Sequence, residues 1–377
     1  MTATELPIDR AIVRLFEVDT PLEVSFGSLA VRRMCLLEVH AGGLVGRGES
    51  WINWPSWSVV ERVATFREGV FPLIQGVDAM DRDAVLSKVL GALLPLGRQW
   101  GAEGPIWQAV SALDVALWDL QAQVAQTPIA LLLSPAPAAD VPVYASGVGP
   151  TDVTMLLERA IGAGFRAAKL KIGFGRERDE EILIEAREVV GDDFTLFVDA
   201  NRAWSLEAAV EMVKVLGDYG VSWCEEPLEH DGPAELGQLY DLGGMPLTLG
   251  ENVYGARAAA QYIAQPGVVH FQPDLSKTGG VTMMREFAQL TAGTQCRLTP
   301  HSYGSALSVI ATAECSAALP QLGWVELDVR DNPFRTDILR EAQALALRDG
   351  RLPIPQPVAL SDALDLEALG RLEVPVA

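Results

Sequence analysis

The chain has 377 residues, 49% hydrophobic and 21% charged, with a formal net charge of −21 and a pI of about 4.6. That length holds a sizeable core and suggests two domains, or one barrel with an appendage. The acidity argues against nucleic acid or an anionic membrane surface as partner, but not against a small anionic substrate at a locally cationic site. Cys35, Cys224, Cys296 and Cys315 are scattered without a CxxC and read as reduced, buried thiols. MTATELPIDRAI lacks a cationic start followed by an apolar run, so no signal peptide is visible in it. No uncharged apolar run nears the roughly 20 residues of a membrane-spanning helix. These features point to a cytoplasmic protein.

The first 50 residues alternate like an antiparallel sheet: AIVRLFEV, VRRMCLLEVHAGG and LVGRGES, with Gly42-Gly43 as a hairpin turn. SVVERVATFREGVFPLI, DRDAVLSKVLGALL and GPIWQAVSALDVALWDLQAQVA then carry helical periodicity, the last opening at Pro105. Strands followed by helices predict an α+β domain over residues 1–130. SPAPAAD (134–140) is a linker. From 141 come eight short strand-like runs: VPVYASG, AAKLKIG, TLFVDAN, SWCEEP, LTLGE, VVHFQPD, CRLTPH and WVELD. Most are separated by helical stretches such as LEAAVEMVKVLGDYG, which predicts a (β/α)8-type barrel over 140–330 with an altered last helix. Residues 335–377 would pack back on the first domain.

Polar residues end these runs. Asp199, Glu225 and Glu251 are 26 apart, Asp274 follows by 23, His301 by 27 and Glu326 by 25. Each interval is about one βα unit, so a barrel sets these residues on one rim, at the face where such folds carry active sites. Lys169 and Lys171 sit on the preceding strand and point the same way. Three adjacent carboxylates need a compensating charge, and all-oxygen donors favour Mg²⁺. Two neighbouring ammonium groups disfavour double protonation, which would leave one lysine a neutral base. Asp274 beside His301 would fix the imidazole tautomer and raise its basicity. The lysine strand and the histidine strand lie across the barrel, giving a base on each face of a bound substrate. Any single acid here reads equally as a helix cap; three at successive strand ends behind Lys-x-Lys read as a site.

The ordered set of IWQAVSALDVALWDL (106–120), K-x-K (169–171), VDAN, EEP, GEN, QPDLSKTGG, TPHS and ELD resembles the enolase superfamily, mandelate racemase subgroup, along nearly the whole chain. The muconate-lactonizing branch carries a catalytic lysine on the sixth strand. Asp274 stands there instead, which places the chain beside mandelate racemase and the acid-sugar dehydratases.

The resemblance implies a capping domain over a modified (β/α)7β barrel, Mg²⁺ with Mn²⁺ as a substitute, and abstraction of the proton α to a carboxylate through a metal-stabilised enediolate. It casts Asp199, Glu225 and Glu251 as metal ligands and Lys171 as one base. Lys169 would tune that base and touch the substrate carboxylate. His301, oriented by Asp274, would be the other acid/base, and protonated Glu326 a hydrogen-bond donor to the carboxylate. Asn201 would bond near the metal.

Glu226 reads as structural or supporting. Lys277 either pairs with supporting carboxylates or sits in a turn. Trp51, Trp54 and Trp57 are either core aromatics or a lid, and Pro21 to Gly27 is a second lid candidate. His40, His230 and His270 read as ordinary histidines. The expected partner is a small carboxylate, bound by a homo-oligomer. Dehydration of an acid sugar is the leading reaction, because dehydratases are common in the subgroup, with racemisation or epimerisation as the alternative. The apolar, tryptophan-rich loop pulls toward the alternative. An inactive barrel serving as a binding or structural protein would have lost a ligand or a base, and every position is filled.

Overall fold

Alternation of apolar and polar residues builds the first sheet. In the computed structural model, which describes residues 5–24 and 27–376, β1 (Ile8–Val18), β4 (Arg32–Ala41) and β5 (Leu44–Ser50) pair antiparallel. Between β1 and β4 in the chain, β2 (Leu22–Val24) and β3 (Gly27–Leu29) form a small hairpin. Ser25 and Phe26, within the second lid candidate, lie outside the described residues. The β4–β5 turn falls at Gly42 and Gly43, both at positive φ, as the Gly-Gly pair predicts.

α1 (Ser58–Ala64) runs through a π-helical stretch, Thr65–Val70, into α2 (Phe71–Ile74), where periodicity predicts one plain helix. Pro72 accounts for the widened turns, since it has no N–H to give and its ring crowds the carbonyl four residues back. α3 (Arg82–Trp100) and α4 (Glu103–Ala125) complete this layer. α4 lies directly on β5 because Gly46 and Gly48 leave room. A Cβ on either would sit 2.0 Å from a carbonyl oxygen of α4.

All eight predicted runs form strands: β6 (Asp140–Val148), β7 (Ala167–Lys171), β8 (Thr195–Asp199), β9 (Val221–Glu225), β10 (Leu247–Leu249), β11 (Val268–Phe271), β12 (Arg297–Leu298) and β13 (Val325–Asp328). They pair in parallel in the order β12-β11-β10-β9-β8-β7-β6-β13. From β12 to β13 the contact thins to a bridge between Leu298 and Leu322 and a bond from the Glu326 amide to the Pro300 carbonyl, 3.3 Å. After β13 the helix is a single turn, Pro333–Thr336. β14 (Arg351–Pro353) then pairs antiparallel with β6, and β15 (Glu373–Val374) with β1. The architecture is the expected one, a curled parallel barrel sheet beside an antiparallel α+β layer.

Inward-facing positions repeat every second residue. Tyr144, Phe197, Trp223 and Trp324 pack as an aromatic floor, the Phe197 and Trp223 rings stacked at 4.1 Å. Two residues further along the same strands stand Ser146, Asp199, Glu225 and Glu326, and two beyond Ala167 stands Lys169. A charged layer therefore rests on an apolar one, and Lys171 begins the layer above.

Polar contacts join the two layers of the molecule. Asp114 on α4 accepts from the Thr282 amide at 2.9 Å, and Glu49 on β5 accepts from Ser305, whose own side chain caps the helix Ala306–Ala318. In that helix buried Glu314 accepts the Ala130 amide at 2.9 Å, and burial pushes its carboxyl up to about 8 from 4.5. The folded carboxyl thus holds its proton more tightly than the unfolded one. Its contribution to stability is complete below pH 4.5 and falls by roughly 1.4 kcal/mol per unit as pH rises to about 8. Glu314→Gln is expected to remove this slope, so the variant gains on the parent as pH rises from 5 to 8. Denaturant midpoints across that range measure it, and parallel curves for the two proteins would contradict it.

Candidate active site

The strand ends open into a cavity of about 510 Å³ between the barrel and the loop after β5. Lys171, Asn201, Glu226, Glu251, Lys277 and His301 line it from the barrel, and Trp51 and Trp54 from the loop. Trp57 is 70% exposed and does not line it. Of the two readings for the tryptophans, Trp51 and Trp54 are therefore cavity wall and Trp57 is surface.

His301 is buried and bonded on both ring nitrogens. Nδ1 lies 2.6 Å from Asp274 and Nε2 lies 2.7 Å from Glu251. Asp274 is held in turn by the amide and hydroxyl of Ser276, each at 2.6 Å. Burial lowers the imidazole pKa, but Glu251, Glu326 and Asp274 outweigh it and raise it well above the usual range. The pairing of His301 with Asp274 is the one the spacing suggests; the Glu251 contact is not visible in the sequence.

The lysines correct an expectation. Lys169 Nζ meets Glu225 at 2.7 Å, Glu326 at 3.0 Å and Asp199 at 3.8 Å. Lys171 Nζ meets Asp199 at 2.5 Å and Asn201 at 3.1 Å. Burial depresses both ammonium groups, yet the carboxylates prevail and both pKa values rise. Mutual repulsion does not by itself make a neutral base in this arrangement, because the surrounding carboxylates favour the ammonium form of both lysines. Lys169 is also wholly buried and off the cavity wall, so it does not reach a substrate carboxylate as placed.

Glu326 is corrected too. It accepts from Ser146 and Lys169, and although burial pushes its carboxyl up, Lys169 and then His301 hold it at about 2. These contacts favour its ionised form, where the resemblance implies a protonated donor. Glu225 is pushed to about 8 by burial and by Asp199 and Glu326, against the pull of Lys169, and Glu226 is raised by burial and by Glu251.

Lys277 sits in the turn after Asp274, and its side chain is part of the site. It bonds Glu251 at 3.1 Å and Asn252 at 2.8 Å, with Nζ 4.9 Å from the Trp51 ring centroid. Glu226 accepts from Arg202 at 3.0 Å and Asn252 at 3.2 Å. His270 bonds Thr299 under the floor, and His40 lies near Glu38.

Asp199 and Glu225 are register partners on β8 and β9, and Glu251 follows β10. Their all-oxygen chemistry fits a hard divalent cation. As they stand, no three acidic, histidine or cysteine side chains among the described residues are grouped so as to hold a metal ion. The reason is electrostatic: Asp199 is drawn to Lys171, Glu225 to Lys169, and Glu251 to His301 and Lys277.

Residues 9–134 match the family model described as mandelate racemase / muconate lactonizing enzyme, N-terminal domain, and residues 152–367 match enolase C-terminal domain-like. The chain belongs to the mandelate racemase/muconate lactonizing enzyme family of the enolase superfamily. It is an enzyme. The L-talarate/galactarate dehydratase of Salmonella typhimurium is 32% identical over 304 residues, covering 78% of this chain and 71% of that one. The D-galactarolactone cycloisomerase of Agrobacterium fabrum is 27% identical over 95% of this chain and 96% of its own. A solved L-talarate/galactarate dehydratase, liganded with Mg and L-glucarate, superposes with a TM-score of 0.84 at 27% identity, covering 99% of this chain and 93% of that one. Mg²⁺ and small carboxylates thus occur among family members. Among the described residues no helix is long and apolar enough to cross a membrane.

Within this family member the cavity wall also holds Gln108, Arg202, Tyr303 and Arg330, which sequence reasoning missed. Arg202 directly follows VDAN and Tyr303 lies two past His301, so proximity to a motif was the available signal. Arg330 lies four beyond Glu326, in a loop with no pattern to mark it.

Proposed function

We propose that this enzyme abstracts the proton α to the carboxylate of a polyhydroxy acid and expels a neighbouring hydroxyl as water, leaving a 2-keto-3-deoxy acid. The observation that carries this reading is that Lys171 and His301, from strands across the barrel, line one cavity with Glu251 between them in the strand order. Asp199, Glu225 and Glu251 would hold Mg²⁺, which as a Lewis acid stabilises charge developing on the substrate carboxylate. Lys171 serves as the base on one face, once Asp199 no longer engages its ammonium and it is free to lose a proton. His301 serves on the other as the acid that protonates the departing hydroxyl, with its orientation fixed by Asp274. Lys169 lies behind and balances Glu225 and Glu326. Asn201, Arg202, Glu226 and Asn252 offer hydrogen bonds suited to hydroxyl groups.

The aromatic wall of Trp51, Trp54 and Tyr303 supports a second reading, racemisation or epimerisation of a less polar 2-hydroxy acid. A library of mono- and diacid sugars with Mg²⁺ separates them. Keto-acid formation supports dehydration; α-proton exchange in D₂O without keto acid supports the second reading; neither with any acid overturns both.

Asp274→Asn is expected to act through His301. The new amide presents an N–H to Nδ1, which disfavours a proton there, so the ring can no longer form the imidazolium that gives its Nε2 proton to the departing hydroxyl and is left as the weakly acidic neutral ring. Loss of a well-placed acid/base is worth roughly 10²- to 10⁴-fold in rate. The unfolding midpoint should move little, because the amide oxygen still accepts from Ser276. Unchanged turnover would dissolve the pair.

A further inference from the structure

One side chain reaches the cavity from α4. Gln108 lines it from the first layer, as Trp51 and Trp54 do, facing the barrel residues across the space. Its amide is not free to turn over. Arg62, on α1, is 1% exposed, and its Nη2 donates to Gln108 Oε1 at 2.5 Å. A guanidinium carries donors only, so the atom it meets must be the amide oxygen. Arg62 is itself held through Nη1, which donates to the Trp51 carbonyl at 2.6 Å and to Ser50 Oγ. Ser50 in turn donates to the Gln108 backbone carbonyl at 2.7 Å. A buried cation thus fixes the oxygen end of the amide, and the NH₂ group points the other way. That group bonds Tyr254 Oη at 3.2 Å, on the loop three residues beyond Glu251. An NH₂ group has a second N–H to give.

The barrel side of the cavity is built differently. Asn201 turns its NH₂ to Asp199 at 3.1 Å, and Asn252 turns its own to Glu226 at 3.2 Å and Glu251 at 2.8 Å. Lys171, Arg202 and Lys277 are charged, and each is engaged by a carboxylate. Gln108 is the amide on this wall whose N–H groups have no carboxylate partner among the described residues. A neutral donor suits an uncharged oxygen, whereas a carboxylate is better matched by the cations on the opposite side.

We propose that Gln108 is a specificity-determining residue: an obligate donor, its polarity set by Arg62, to a hydroxyl oxygen of the substrate remote from the carboxylate. This rests on the reading that the carboxylate end is handled on the barrel side, by the groups around Lys171 and His301. An acid too short to carry a hydroxyl across to α4 then has no contact with Gln108.

Gln108→Met keeps the length of the side chain and removes the donor. The test is calorimetric titration of the Mg²⁺-loaded protein with glycerate and with a panel of pentonates and hexonates. In the parent, at least one of the longer acids should bind more tightly than glycerate. For that acid the variant should bind about tenfold more weakly, the scale of one net hydrogen bond, while its affinity for glycerate changes by less than about twofold. In steady-state kinetics the loss should fall on KM with kcat nearly kept, because a hydroxyl away from the reacting carbons is held alike in ground and transition states.

Gln108→Glu covers the case in which Met, by leaving Arg62 without its acceptor, unfolds the protein. The carboxylate still accepts from Arg62 but gives no N–H. Its charge acts on every acid, so the ratio of long-acid to glycerate affinity is what is read, and that ratio should also fall about tenfold. An equal loss for glycerate and the longer acids would make Gln108 a structural residue. No loss for any acid, or a parent that binds no longer acid better than glycerate, would equally overturn the assignment. Binding is read without turnover, so the two readings fail separately. If no acid is turned over and the length-dependent loss persists, the reaction proposed above fails and the role of Gln108 stands. If keto acid forms with unchanged KM in both variants, the reaction stands and the role of Gln108 fails.

Discussion

Lys171→Ala is expected to abolish exchange of the α-proton in one configuration while sparing the other, and His301→Asn to show the reverse. The two side chains reach the cavity from β7 and from the loop after β12, which are five steps apart along the sheet. A base can take only a proton on its own face. His301 is held from both sides, by Asp274 at 2.6 Å and Glu251 at 2.7 Å, so it cannot swing across to replace the lysine. Lys171 is tied to Asp199 and Asn201 in the same way.

Each acid or base is worth roughly 10²- to 10⁴-fold, which proton NMR of substrate and product in D₂O resolves easily. In a dehydratase where His301 protonates the departing hydroxyl, His301→Asn still exchanges the proton facing Lys171 while forming no keto acid. Equal loss in both configurations for both variants would mean a single base serves both faces.

The barrel was legible because its strands repeat a simple period. Two-residue alternation put Lys169 and Lys171 on one face, and a spacing of about 26 residues put Asp199, Glu225 and Glu251 at consecutive strand ends. Those are properties of one element at a time. The missed features belong to pairs of elements. Whether Lys171 titrates low depends on which carboxylate faces it, and Asp199 does, from the neighbouring strand in direct register. Glu326 looked like a proton donor until Lys169 stood 3.0 Å away. The Arg32–Asp328 pair joins residues 296 apart, one from each layer of the molecule. The π-helical stretch before Pro72 escaped for a different reason, since its apolar spacing is close to that of an ordinary helix.

Chelation should abolish turnover, and Mg²⁺ should restore it. The carboxylates at the ends of β8, β9 and β10 sit above an apolar floor, where uncompensated like charges are unfavourable, and the two lysines answer only part of that charge. Asp199→Asn should therefore weaken Mg²⁺ binding and lower kcat/KM by roughly 10³-fold, the scale of losing several kcal/mol of charge stabilisation. The rate alone is ambiguous, because Asp199 also anchors Lys171 at 2.5 Å, and releasing that lysine would itself impair the base. Calorimetric titration with Mg²⁺ separates the two causes. A slow variant that binds Mg²⁺ as tightly as the parent would make Asp199 a partner of Lys171 and not a ligand. Glu226→Gln is the comparison. Glu226 is engaged by Arg202 and Asn252, so it should lose less Mg²⁺ affinity than Asp199→Asn. Full activity in enzyme stripped of divalent ions would end the metal assignment for all three carboxylates at once.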